Sequence, residues 1–182
     1  KGGTSSGILP VMQGFIQDMS YVSQGSARRG AWAGYVPIDH PDFDEICDYL
    51  VEHPDGNNVG WCVSNMFIGC LEEGKPEAVR RYQKTLKTKM VTGKGYFFFT
   101  DKVADKRPCT YKQRNNIVHA SNLCSEITLA ADKDHTFTCV LASMNVSKWH
   151  EWKDTPAVFW ATVFLDCVAQ EFIEKSRDIP GL

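Results

Sequence analysis

The sequence predicts an α/β fold with parallel strands, on three observations. Segments of strand character alternate with segments whose apolar residues recur at helical spacing. Caps, prolines and glycines mark where the helical segments start and stop. Composition is in the globular range, with 43% hydrophobic and 23% charged residues over 182 positions, enough for one domain.

Taken in order, residues 1–7 form a glycine- and serine-rich loop whose backbone amides could line a phosphate or a ribose. It is not a Walker loop, because no Gly-Lys-Ser/Thr follows. Ile8, Met12, Phe15, Ile16, Met19 and Val22 predict a helix over 8–22. Ser23 to Gly30 carries Arg28 and Arg29 between glycines, where planar guanidinium forks suit a phosphate or a base; a solvated basic turn is the plainer alternative. Residues 31–38 alternate as a strand ending at Pro37. Asp39 or His40 is the expected cap of the next helix, with Pro41 at its first position and acids in its first turn. That placement accounts for His40, Asp42 and Asp44 without a metal. Phe43, Ile46, Cys47 and Leu50 form its buried stripe, which makes Cys47 a core thiol.

A turn cluster at 53–58 precedes a strand at 59–63. Ser64-Asn65 caps a helix through Cys70, and Gly74 ends it. Lys75–Thr92 reads as a helix with a basic outer face (Arg80, Arg81, Lys84, Lys87, Lys89), expected to be solvated because nothing aromatic interleaves it for base stacking. Gly93 closes it, and residues 96–99 form a buried strand. Residues 101–116 read as a polar connection, and 136–142 as a strand containing Cys139. After Asp154-Thr155-Pro156 comes a helix bearing Phe159, Val163, Leu165, Val168, Phe172 and Ile173, stopped by Pro180.

A net charge of -2 and a pI near 6.2 give no general drive toward nucleic acid or an anionic membrane. No apolar run approaches the ~20 residues of a membrane span, and no signal-peptide pattern opens the chain; the expected location is the cytoplasm. Seven cysteines, an odd number without CxxC or Cys/His spacing, predict neither a disulfide framework nor a zinc site. In a reducing compartment the Asn145-Val146-Ser147 sequon is accidental. The chain opens at Lys1 directly in a loop and closes just after a helix, so a single partial domain of a larger protein is expected over 1–182.

The stretch richest in chemistry is Ser121-Asn122-Leu123-Cys124-Ser125-Glu126-Ile127. As a strand it would point Asn122, Cys124 and Glu126 to one side. The outer two would then stand about 13 Å apart, at about 3.3 Å per residue, too far to act together on one small group. A bent loop that gathers the three is therefore expected.

This stretch and Thr138-Cys139-Val140-Leu141-Ala142-Ser143-Met144-Asn145 resemble the catalytic loop and following strand of the class I ribonucleotide reductase large subunit. Gly2-Gly3-Thr4-Ser5-Ser6-Gly7 and Ser23-Gln24-Gly25-Ser26-Ala27-Arg28-Arg29-Gly30 are similar to that family's nucleotide-handling loops, in the same order. The resemblance covers essentially the whole chain. It implies part of a ten-stranded α/β barrel with a finger loop threading its centre. It also implies radical reduction of ribonucleoside diphosphates to 2'-deoxyribonucleoside diphosphates.

By that resemblance Cys124 is the thiyl that removes the 3' hydrogen, Glu126 the base for the 3'-hydroxyl proton, and Asn122 the amide that orients hydroxyls. Cys139 matches the later member of the redox pair, whose partner lies upstream of Lys1 in the family. Ser5 and Ser6 fall near substrate phosphate, and Gln24, Arg28 and Arg29 on the loop that carries the effector signal. The implied partners are a metal-containing, radical-generating small subunit, a second large subunit and a thioredoxin or glutaredoxin. ATP and deoxynucleotides are the implied effectors, and no metal or cofactor is expected on this chain itself. The C-terminal thiols, relay tyrosines and last phosphate loop would lie beyond Leu182, so the piece is not expected to turn over alone.

Two other readings stand beside this one. A cobalamin-dependent reductase uses the same radical loop, but the Asn-Leu-Cys form and the segment around Trp149 and Trp152 favour class I. A non-catalytic nucleotide-binding relic is opposed by the presence of Asn122, Cys124 and Glu126 together.

Overall fold

A computed structural model describes residues 3, 5–24, 28–54 and 58–179. The chain divides into two compact units, 1–130 and 131–182.

The first unit opens with helix α1 (Leu9–Tyr21) and a short antiparallel pair, β1 (Ser23–Gln24) and β2 (Arg28–Arg29). Strand β3 (Ala33–Pro37) leads through α2 (Phe43–Glu52) to β4 (Asn58–Val63). Helices α3 (Asn65–Glu72) and α4 (Pro76–Thr92) then lead to β5 (Tyr96–Phe99). The sheet order is β3-β4-β5 and both pairings are parallel, as the alternation of strand and helix predicts. The register sets Tyr35 beside Gly60, Val36 beside Trp61, and Cys62 beside Phe98.

Strand alternation gives the sheet two different faces. Val36, Val59, Trp61 and Val63 are buried, and the helices cover them, with Trp61 and Phe43 of α2 at 4.8 Å between ring centroids. Phe43, Ile46, Cys47 and Leu50 are all buried, as their spacing predicts. Tyr35, Gly60, Cys62 and Phe98 share the opposite face by register.

Local signals hold at most boundaries. Ser64 accepts the Phe67 N–H through its hydroxyl, and Gly74 and Gly93 have φ of +69° and +72° after α3 and α4. The start of α2 differs from expectation, since the helix begins at Phe43 and Asp42 makes no side-chain cap bond to it. The Asp42 carboxylate instead accepts the Ile8 N–H at 2.7 Å, at the start of α1. A partner 34 residues away won because an anion is favoured beside that exposed positive end.

The basic face of α4 also differs from expectation, because part of it is engaged rather than only solvated. Arg80 and Lys84 bind the Asp44 carboxylate, and Lys84 also binds Asp48. Arg81 donates to the Ile38 and His40 carbonyls, pairs with Glu77 and lies over the Phe43 ring. Residues 101–116, expected as a plain connection, hold α5 (Thr100–Lys106) and α6 (Cys109–Gln113). Asp101 on α5 accepts the Asn65 N–H at 2.6 Å, which ties α5 to the start of α3.

The second unit contains a short 3-10 turn (Val146–Lys148), α7 (Trp149–Trp152) and α8 (Ala157–Ser176). Helix α8 follows Pro156, which stands at its cap without a side-chain cap bond, and the Thr155 hydroxyl just before it accepts the Ala157 N–H at 3.3 Å. The strand expected over 136–142 is absent from the ladders among the described residues, since a strand exists only where a neighbouring backbone takes up its hydrogen bonds. No single helix among the described residues is long and apolar enough to cross a membrane.

Candidate active site

The Asn122 side chain closes the loop that carries the candidate chemistry. Its Oδ1 accepts the N–H groups of Glu126 and Ile127 at 3.1 and 3.0 Å, and its Nδ2 donates to Glu126 Oε1 at 2.7 Å. Asparagine suits this role because one planar amide offers both acceptor and donors. Ser125 N–H donates to the Asn122 carbonyl at 3.1 Å, and Ser125 takes a φ of +65°, which turns the chain back. The Ser121 hydroxyl donates to the Ile127 carbonyl at 2.5 Å and fastens the base of the bend.

The expected bent loop is therefore present. The Asn122 amide and Glu126 carboxylate, about 13 Å apart in an extended chain by strand geometry, are in direct hydrogen-bond contact. Cys124 sits within the bend and is exposed. An acceptor that can take a proton, an amide that orients it, and a free thiol thus occupy one short loop.

Tyr35, which the sequence patterns did not single out, ties this loop to the sheet. Its hydroxyl donates to the Asn122 carbonyl at 2.8 Å and lies 2.7 Å from Ser125 Oγ. The ring lies across Gly60, where a Cβ would come within 2.3 Å of Tyr35 Cε1. Its ring centroid lies 5.4 Å from that of Phe98, with the two planes nearly perpendicular. A glycine inside a strand often marks such a close approach, and Gly60 was the available signal.

The remaining expected residues lie on other elements. Ser5 and Ser6 line a cleft of about 680 Å³ with His40, Asp42 and Glu45, and Ser5 Oγ accepts the Gly7 N–H at 3.3 Å. The nearby Asp42 carboxylate already takes the first N–H offered at the start of α1. Gln24 and Arg28 are registered opposite one another in the β1–β2 pair, with Arg29 opposite Ser23; Gly25 to Ala27 between them lie outside the described residues. Cys139 belongs to the second unit and is exposed, outside any ladder, where a core-strand position was expected.

Helices covering one face of a parallel sheet, with a polar bend fastened to the strand tyrosine of the other, fit a segment of an α/β barrel. The sequence profile of "Ribonucleotide reductase, barrel domain" matches residues 1–80 and 71–175, and the chain belongs to that family. A Frog virus 3 (isolate Goorha) protein named for a ribonucleoside-diphosphate reductase large subunit is 30% identical over 94% of this chain and 34% of its own length. The ribonucleoside-diphosphate reductase large subunit of Arabidopsis thaliana is 26% identical over 85% of this chain and 24% of its own. Among solved structures, the Actinobacillus ureae class Id ribonucleotide reductase alpha subunit is similar over 98% of this chain and 34% of that one, at 40% identity and a TM-score of 0.83. The chain thus spans about a third or less of the length of these relatives.

Proposed function

We propose that this chain is the catalytic-loop segment of a class I ribonucleoside-diphosphate reductase large subunit. The observation that carries the reading is the Asn122–Glu126 contact, which sets an amide and a carboxylate together around the Cys124 bend. In this reading a Cys124 thiyl removes the 3' hydrogen of the ribose. Glu126 accepts the 3'-hydroxyl proton, which helps the 2'-hydroxyl leave as water, and Asn122 holds the hydroxyls in register. Two cysteine thiols, Cys139 one of them, then supply two electrons and become a disulfide. One substrate hydroxyl is exchanged for hydrogen, one water is released and one dithiol is oxidised.

The site's own contribution is geometry. A carboxylate already hydrogen-bonded to a neutral amide can take a proton without moving, and a thiol within a closed bend is offered at a fixed place. Ser5 and Ser6 would bind substrate phosphate, and Gln24, Arg28 and Arg29 would pass on the state of a bound ATP or deoxynucleotide. The partners in this reading are the radical-generating small subunit, a second large subunit and a thioredoxin or glutaredoxin, in the cytoplasm. Similarity to a class Id alpha subunit favours class I over the cobalamin-dependent alternative.

The test is deoxynucleotide formation by the large subunit that contains this chain, reconstituted with its small subunit and a dithiol reductant. Cys124→Ser abolishes turnover while effector binding is kept. Retained turnover in that variant would make the loop structural.

A further inference from the structure

Resting on the reductase reading, we infer that Tyr35 is a positioning residue that holds the Cys124 bend in its working conformation, and that Gly60 exists to let it do so. The Tyr35 hydroxyl has one proton and two neighbours in the loop. With that proton given to the Asn122 carbonyl at 2.8 Å, Ser125 Oγ at 2.7 Å is left to donate to the tyrosine oxygen. The two loop groups it joins flank Cys124 on either side in sequence. One carries the amide that orients Glu126, and the other is held at a φ of +65°, a region that non-glycine residues rarely occupy. The Asn122 carbonyl also accepts the Ser125 N–H at 3.1 Å, so both of its lone pairs are used to keep the bend closed.

The hydroxyl can act as a fixed point because its ring is packed against the sheet. Tyr35 stands on β3, in a sheet whose other face is packed against helices, and its ring is confined between Phe98 and the Gly60 backbone. Any side chain at position 60 would occupy the ring's place. The loop, which has no ladder of its own, therefore borrows its rigidity from the sheet, through a tyrosine 87 residues earlier in the chain.

The substitution Tyr35→Phe keeps the ring and removes only the hydroxyl, so the sheet is preserved. Two measurements are made on it. In hydrogen exchange, the Ser125 and Glu126 amides exchange about 10-fold faster than in the wild type, with strand amides unchanged. In the reconstituted reductase, kcat for deoxynucleotide formation falls about 10- to 100-fold while KM for the ribonucleotide is unchanged, since substrate binding elsewhere is intact and only the reacting geometry loosens. Ser125→Ala added to Tyr35→Phe costs little more than Tyr35→Phe alone, because both remove the same link. Unchanged exchange at Ser125 and Glu126 overturns the clamp whatever the turnover. Faster exchange with undiminished kcat overturns its role in positioning. Wild-type turnover that survives Cys124→Ser instead defeats the reductase reading, and the clamp is then judged on exchange alone.

Discussion

Two of the seven thiols show how the surroundings of a residue decide its chemistry. Cys47 is fully buried between α2 and its neighbours, and burial pushes its thiol up to about 11. Cys124 is exposed on a polar bend. The thiolate is the reactive form, so burial protects Cys47 both by holding its proton and by denying access. Alkylation of the native chain near pH 8 therefore modifies exposed Cys124, Cys109, Cys139 and Cys167 well before Cys47, which a reagent reaches only when the core opens. Peptide mapping by mass spectrometry checks this, and comparable labelling of Cys47 before unfolding would contradict the packing. The raised value also has a stability consequence. Below about pH 9 the thiol is neutral in both states, whereas between about 9 and 11 only the unfolded chain ionises, so native stability declines across that interval.

Between elements, α2 and α4 are joined by charges that their separate patterns did not pair. Hydrogen bonds from Arg80 and Arg81 hold Glu77 down to about 2, and Arg80 and Lys84 hold Asp44 well below the usual carboxylate range. Both carboxylates have folded pKa values below their unfolded ones. Their contribution is complete above the ordinary carboxylate pKa and is lost as pH falls through the folded values. Thermal unfolding of the chain should hold steady from pH 7 to 5 and then drop toward pH 2. The drop should be shallower in Glu77→Gln, and 1 M salt should lower the Tm near pH 7, because these groups are exposed enough to be screened. An acid response identical in wild type and variant would remove Glu77 from this account. Helix α2 was legible from its apolar stripe and the end of α4 from Gly93, because those signals lie within one or two turns. The pairing of Arg81 with the Ile38 and His40 carbonyls, more than 40 residues away, is not written in either helix alone.

For the whole molecule, the first unit is built on Trp61. It is fully buried on the central strand, flanked in register by Val36 and Phe97 and covered by Phe43. Replacing it by alanine should cost about 3–5 kcal/mol, the range for large aromatic truncations in a core. Urea unfolding of Trp61→Ala measures this, and a loss under about 1 kcal/mol would mean that the sheet is not packed as described. The parallel pairing of the strands and their helical crossovers were legible as alternating strand and helix patterns, because parallel neighbours require such connections; the order β3-β4-β5 came from the structure.

What the sequence determined by itself is local. Periodicity placed α1 to α4, α8 and β3 to β5, and the residues 121–127 announced a bent loop of amide, thiol and carboxylate. Tertiary structure alone decided which groups found distant partners. Asp42 serves α1 rather than its own helix, residues 136–142 found no strand to pair with among the described residues, and Tyr35 reaches across to the Cys124 bend. The physical reason is common to all three. A helix or strand pattern is set by neighbours within a few residues, whereas a hydrogen bond between segments tens of residues apart exists only once the fold has brought donor and acceptor within about 3 Å.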